Sequence, residues 1–261
     1  MPERTGVALV TGAAGILGTH ICRRLASDGL ALALVDRDGE RLGALEDQLR
    51  ADGHSCSAHV LDITDKAALV EARGRVEATL GPVSVLVNNA ATKSENFFEP
   101  FESFPQADWE DVMAVNCTAM MLTCQVFGAP MAAARSGTII NILSIYGIVA
   151  PDRRIYEGSL YEGRAINTPA IYSASKAAAW GLTRYLAAYW GADGVRVNAV
   201  TPGGVSSGQN STFTNRYSAR VPMGRMAQAP EIADAVAFLA SAKASYVNGH
   251  NLVVDGGLTV W

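Results

Sequence analysis

Apolar residues fall along this chain in short, nearly continuous runs separated by longer stretches of helical period. The runs are Val7 to Val10, Ala31 to Val35, Ala58 to Leu61, Val83 to Val87, Thr138 to Leu143, Val195 to Val200 and Leu252 to Val254. Alternating with helices, they predict about seven strands of a parallel sheet covered on both faces, an α/β fold. Between the first two runs Leu17, Ile21 and Leu25 recur every four residues on one helical face, and Gly29 supplies the stop. Right-handed crossovers then bring the carboxyl ends of the strands to one edge, where open sheets of this kind bind ligands. Two irregular stretches interrupt the pattern: Gly147 to Pro169, with three arginines, and Thr201 to Gln228, with four glycines. Loops this long inside a compact domain are usually lids or binding loops.

Composition narrows the picture. The 261 residues are 49% hydrophobic, enough for one sizeable core, and no linker or repeat divides them, so residues 1–261 are expected to form a single domain. A net charge of −4 with no basic block points away from nucleic acid and anionic membrane and toward a small-molecule partner. Cys22, Cys56, Cys117 and Cys124 show no C-x-x-C, and the four histidines show no ligand spacing. The chain thus reads as reduced and cytoplasmic, without a metal site. The apolar run after Met1 to Gly6 is too short for a signal sequence, and no stretch reads as a membrane span.

Gly12-Ala13-Ala14-Gly15-Ile16-Leu17-Gly18 lies between the first predicted strand and the first predicted helix. There a pyrophosphate would meet free backbone N–H groups at the positive end of the helix dipole, although tight turns also need glycine for structure alone. Asp36 closes the second strand, where its carboxylate can accept from an adenosine ribose and would repel a 2′-phosphate. NAD is therefore expected over NADP. Asp36 could instead simply cap its own turn, and Arg37 could hold a 2′-phosphate.

Tyr172 and Lys176 stand four apart in a long helical pattern, so they share a face. An ammonium beside a phenol favours phenolate, as a general base requires. Alone, such a pair is usually mere packing; here Ser144 at the end of the fifth strand could hold a substrate oxygen beside the phenol. Asn116 is a candidate for kinking its helix and anchoring a water that relays protons from Lys176. Ser173-x-x-Lys176 also matches the serine and lysine of penicillin-binding enzymes, but the companion motifs and G-x-S-x-G are missing.

In their order, Thr11 to Gly18, Asp36, Asp62-Ile63, Asn88-Asn89-Ala90-Ala91, Asn116, Ser144, Tyr172, Lys176, Pro202-Gly203 and Val254-Asp255-Gly256-Gly257 resemble the short-chain dehydrogenase/reductase family over nearly the whole chain. The resemblance implies a Rossmann-type doubly wound sheet and hydride exchange with NAD(P), interconverting a secondary alcohol and a ketone. It places Asp62 and Ile63 beside adenine, Asn88, Asn89, Ala90 and Ala91 along the cofactor, and Lys176 on the nicotinamide ribose. Pro202, Gly203, Val205 and Ser207 then meet the carboxamide. It also implies a homotetramer or homodimer joined partly through the helix bearing Tyr172. Rival readings within the fold are an NADPH-dependent 3-ketoacyl or carbonyl reductase and a sugar epimerase or dehydratase. A non-catalytic nucleotide sensor is the rival of another class.

The chain departs from the family's usual pattern in two places. Ile16 stands where a glycine is usual, giving the spacing of the extended, sugar-nucleotide branch, yet the length leaves no room for that branch's added domain. From Ser144 to Tyr172 the step is 28 residues, and this insertion, at about 147–169, is expected to overhang the substrate. Its motifs, with Thr183 to Ala187 and Ser206, look like a subgroup that modifies flagellin and surface glycans. On that reading Arg153, Arg154 or Arg164 binds a phosphate or carboxylate of a sugar-like substrate. The alternative is a solvated loop whose arginines pair with Asp152, Glu157 and Glu162. A flexible loop is expected at about 203–228, and His20, Cys117 and Trp190 are expected to pack rather than bind.

Overall fold

A computed structural model describes residues 6–161 and 163–261, so residues 1–5 and Glu162, with the pairing expected of it, lie outside the described residues. The seven apolar runs all become strands: β1 (Val7–Thr11), β2 (Ala31–Asp36), β3 (Cys56–Val60), β4 (Val83–Asn88), β5 (Gly137–Ile142), β6 (Val195–Pro202) and β7 (Asn251–Val254). They form one parallel sheet in the order β3-β2-β1-β4-β5-β6-β7. The order reverses between β1 and β4, and there the loops diverge to leave a crevice at the strands' carboxyl ends.

The helices are α1 (Ile16–Ser27), α2 (Gly39–Ala51), α3 (Lys66–Thr79), α4 (Gln106–Ala133), α5 (Ala170–Trp190), α6 (Ser211–Ser218) and α7 (Ala229–Ala240). Side chains alternate along each strand, so the sheet carries a core on either face. Val10, Leu34 and Ile140 meet Ile21 and Leu25 of α1, Leu45 of α2 and Val236 of α7. Leu9, Leu86 and Ile139 meet Val76 of α3, Phe127 of α4 and Trp190 of α5. Complete burial of Leu25 and Ile21 contributes about 1.5–3 kcal/mol each. Of the expected α1 stripe, Leu17 is only partly buried because it lies in the first turn, beside the crevice.

By length and composition α4 could cross a membrane, contrary to the reading from the sequence, but half of its most apolar window is buried inside the fold. Its apolar face is the one that covers the sheet. Two π turns interrupt it, at Ala114–Thr118 and Cys124–Gly128.

The insertion after Ser144 makes short turns at Ile145–Gly147 and Arg153–Ile155, then a small hairpin pairing Leu160 with Ala165 and Tyr161 with Arg164. The stretch 203–228, expected as a loop, contains α6. Asn210 Oδ1 accepts from Phe213 N at 2.9 Å to cap it, and Phe213 and Tyr217, four apart, pack with Ile145, Ile155 and Tyr156.

Candidate active site

The crevice at the β1–β4 switch is a cleft of about 400 Å³. The glycine turn (Gly12, Ala14, Gly15, Ile16 and Leu17), Asp36, Arg37, Asp62 and Ile63, and Asn89, Ala90 and Ala91 line it. Gly12 has φ 63°, and a Cβ on it would meet Ala90 Cα at 2.8 Å, so backbone alone fits there. Helix α1 starts from Gly15 with no side-chain cap and no acid in its first turn, leaving its N–H groups and positive end for an anion. Thr11 Oγ1 accepts from the N–H groups of Asn89 and Ala90, each at 3.1 Å. Asn89 Nδ2 donates to the carbonyls of Thr11 and Gly12 at 3.0 and 2.9 Å, tying the two walls together. These features fit a dinucleotide lying across the crevice.

The Asp36 carboxylate accepts from Ala14 N at 2.9 Å and from Asp38 N at 3.1 Å. It therefore caps its own turn and braces the glycine turn while still facing the cleft. Asp62 accepts from the Thr64 backbone and hydroxyl, which hold its carboxyl below the usual range. Gly18 does not line the cleft. A Cβ on it would lie 2.0 Å from the Gly12 carbonyl oxygen, so this glycine is what lets α1 close on the turn.

A second cavity, of about 610 Å³, opens beyond Thr92 and Lys93 and contains Ser144, Tyr172, Gly203 and Ser207. The Ser144 hydroxyl accepts from Tyr146 N at 3.2 Å, and Ser144 and Tyr172 line the same cavity. Lys176, one turn further along α5, is buried and donates to the Ile142 carbonyl at 2.8 Å, with its ammonium 5.9 Å from the centre of the Tyr172 ring. Asn116 sits in the first π turn of α4. Its Oδ1 accepts from Thr92 N at 2.9 Å and its Nδ2 donates to Ser175 Oγ at 3.3 Å.

The expected lowering of the Tyr172 pKa by Lys176 is not seen. Burial pushes the phenol up, and the nearby Ser144 hydroxyl opposes this only in part. Burial also brings Lys176 down to about 8.

Other expectations are corrected by strand parity and packing. Asn88 faces away from the cleft, donating to Asn141 Oδ1 at 2.9 Å and accepting from Thr123 Oγ1 at 2.6 Å. Pro202 is buried at the end of β6, and Val205 bridges to Ala227 and packs against the core. None of the three insertion arginines lines the substrate-side cavity. Arg154 is forked onto Asp152 at 2.8–2.9 Å, Arg153 and Arg164 are exposed, and Glu157 pairs with Arg216 from α6 instead. The insertion does overhang the cavity, but through Tyr156, Leu160, Ile166, Asn167 and Thr168. Sequence reasoning also missed Phe97 and Phe98; their adjacency just after Asn88 to Ala91 was the available signal. Phe97 packs edge-on to Tyr172 at 6.1 Å between ring centres.

Residues 6–217 match the short chain dehydrogenase family. The chain is 38% identical to galactitol 2-dehydrogenase (L-tagatose-forming) of Cereibacter sphaeroides, over 97% of this chain and 95% of that protein. The structure of a gluconate 5-dehydrogenase from Burkholderia cenocepacia J2315, in complex with NADP and tartrate, superposes with a TM-score of 0.86 at 31% identity, covering 98% of this chain and 96% of that one. That of an NAD+-bound xylitol dehydrogenase does so at 0.88 and 28% identity, covering 98% and 100%. All three are named as dehydrogenases of polyols or sugar acids rather than as members of the surface-glycan subgroup.

Proposed function

The chain belongs to the short chain dehydrogenase family and is an NAD(P)-dependent oxidoreductase of secondary alcohols and ketones; from that premise we propose that its substrate is a polyol or sugar-derived alcohol and that NAD is preferred over NADP. The observation that carries the reading is the presence of Ser144 and Tyr172 together in one cavity, with hydroxyl and amide side chains among its lining, beside the dinucleotide cleft. When bound, the dinucleotide supplies the hydride acceptor or donor. In reduction the Tyr172 phenol gives its proton to the carbonyl oxygen, and in oxidation the Tyr172 phenolate takes the substrate's hydroxyl proton, while Ser144 holds the reacting oxygen beside it. Lys176 would hold the ribose of the cofactor on turning from the Ile142 carbonyl, and Asn116 would sustain the proton path behind it. The protein's share of the catalysis is positioning and electrostatics in a site that the insertion covers.

The Asp36 charge supports NAD, because a 2′-phosphate would lie against it. The similar structures include complexes with NADP and with NAD+, so the preference rests on Asp36. A second copy of the chain is the expected macromolecular partner. The exposed, stacked rings of Tyr185 and Tyr189 on α5 support assembly through that helix. A cytoplasmic setting suits a reaction that draws on the cell's dinucleotide pool.

The test incubates the protein with NAD or NADP and, in turn, galactitol, xylitol and gluconate, following the absorbance of the reduced nicotinamide. Turnover of at least one, faster with NAD, is the expected result. No turnover with either dinucleotide would refute the polyol reading.

A further inference from the structure

Helix α6 ties the insertion to the backbone that leaves β6. The Tyr217 hydroxyl accepts a hydrogen bond from Gly204 N, and its side chain is buried at the cavity wall. The ring lies against the same peptide: a Cβ on Gly204 would meet Tyr217 Cζ at 2.6 Å, and one on Gly203 would meet the hydroxyl at 3.2 Å. Gly204 has no positive φ, so the approach of the ring, rather than backbone conformation, demands glycine there. The other backbone bonds of the segment run to backbone. Gly203 N donates to Val254 O, Ala227 N to Gly204 O and Ser206 N to Ala227 O, each at 2.9 Å. Gly204 N, by contrast, is held by a side chain, and that side chain comes from α6.

On its other side α6 is fastened to the insertion. The rings of Tyr156, Phe213 and Tyr217 follow one another with centres 5.6 and 5.7 Å apart. Arg216 donates to the Arg154 carbonyl at 2.7 Å and pairs with Glu157 at 3.1 Å, and Arg220, just past the helix, meets Asp152 at 3.5 Å. Tyr217 thus stands between the cover of the cavity and the Gly203–Gly204 peptide, which shares that cavity with Ser144 and Tyr172.

We propose that Tyr217 is a positioning residue for the nicotinamide end of the dinucleotide. By holding Gly204 N it sets the backbone at 203–207, and through α6 it makes that setting depend on the seating of the insertion. This assignment rests on the dehydrogenase reading, in which the nicotinamide enters the cavity between Tyr172 and this segment. Hydride transfer tolerates little displacement of the reacting carbons, so a residue that fixes this wall acts on the reaction without touching it.

The test measures the affinity of NADH and of ADP-ribose, which lacks the nicotinamide, by calorimetry in the wild type, Y217F and R216A, with thermal melting as the check on folding. Y217F keeps the ring and loses only the bond to Gly204. Its NADH affinity should fall by about fivefold, the scale of one hydrogen bond, with ADP-ribose binding unchanged. R216A, whose side chain lines neither the cleft nor the cavity, should show the same selective loss to a smaller degree. Equal losses of both ligands in Y217F mark a general loosening of the fold and overturn the inference, as does an unchanged NADH affinity in a folded Y217F; either leaves the dehydrogenase reading standing. An unchanged NADH affinity in R216A overturns the link to the insertion. A wild type that binds neither ligand removes the dehydrogenase reading and this inference with it.

Discussion

Asp36 carries more than one task at a single position. Its carboxylate braces the glycine turn through Ala14 N, caps its own turn through Asp38 N, and presents negative charge where a 2′-phosphate would lie. Replacing Asp36 with Ala removes all three together. The variant should bind NADH more weakly and NADPH more tightly, since Arg37 and Arg41 at the same rim would then meet the phosphate unopposed. Fluorescence titration should show the NADH-to-NADPH preference falling by about tenfold or more, as expected for loss of a charge-assisted bond. An unchanged preference would mean that Asp36 is only a turn cap. The position of this residue was legible in the sequence because an apolar run must end somewhere and an acid ended this one. Its bond to Ala14 was not legible, because that depends on how the glycine turn folds back over β2. Likewise the Tyr172–Lys176 spacing gave the shared helical face, but the Ile142 carbonyl that holds the amine belongs to another element brought close only by packing.

At the scale of elements, the join between β1 and α1 decides whether the cleft exists. A methyl group on Gly18 would collide with the Gly12 carbonyl, so Gly18→Ala must push the start of α1 away from the turn. We expect a loss of about 1–3 kcal/mol, the scale of an overpacked contact, seen as a lower melting temperature, together with weakened stabilisation by added NADH. Melting and NADH response equal to wild type would show that the turn yields without cost. The strands and the glycine turn were readable because apolar runs and turn glycines are local properties. Asn88 and Asn89 show the limit of such reading: adjacent residues in or just past a strand face opposite ways, so one step in register exchanges a core side chain for a cleft side chain. The insertion's extent was readable from the 28-residue step, but its contents were not. Arginines drew attention as the charged groups, while Tyr156 and Thr168 reach the cavity because the chain doubles back on itself between them. Helix α6 escaped notice because eight residues with two aromatics on one face scarcely establish a period.

Over the whole molecule, both faces of the sheet are covered, and the residues exposed along α5 include two aromatics. Tyr185 and Tyr189, each 63% exposed, stack with 5.7 Å between ring centres, beside Trp190. If copies of the chain meet there, the double variant Tyr185→Glu with Tyr189→Glu should sediment as a smaller species than the wild type, and a wild type that is itself monomeric would contradict this assembly. Lys176 and Tyr172 lie on the same helix, so assembly would also steady the site. The account as a whole turns on the phenol in the second cavity. Its most direct test is the rate of polyol oxidation by Tyr172→Phe, measured beside its NADH affinity. The account predicts turnover lost by a thousandfold or more, on the order of the contribution of a general acid–base group, with NADH binding within about twofold of wild type. A Phe variant that still oxidises the polyol at a comparable rate would contradict it.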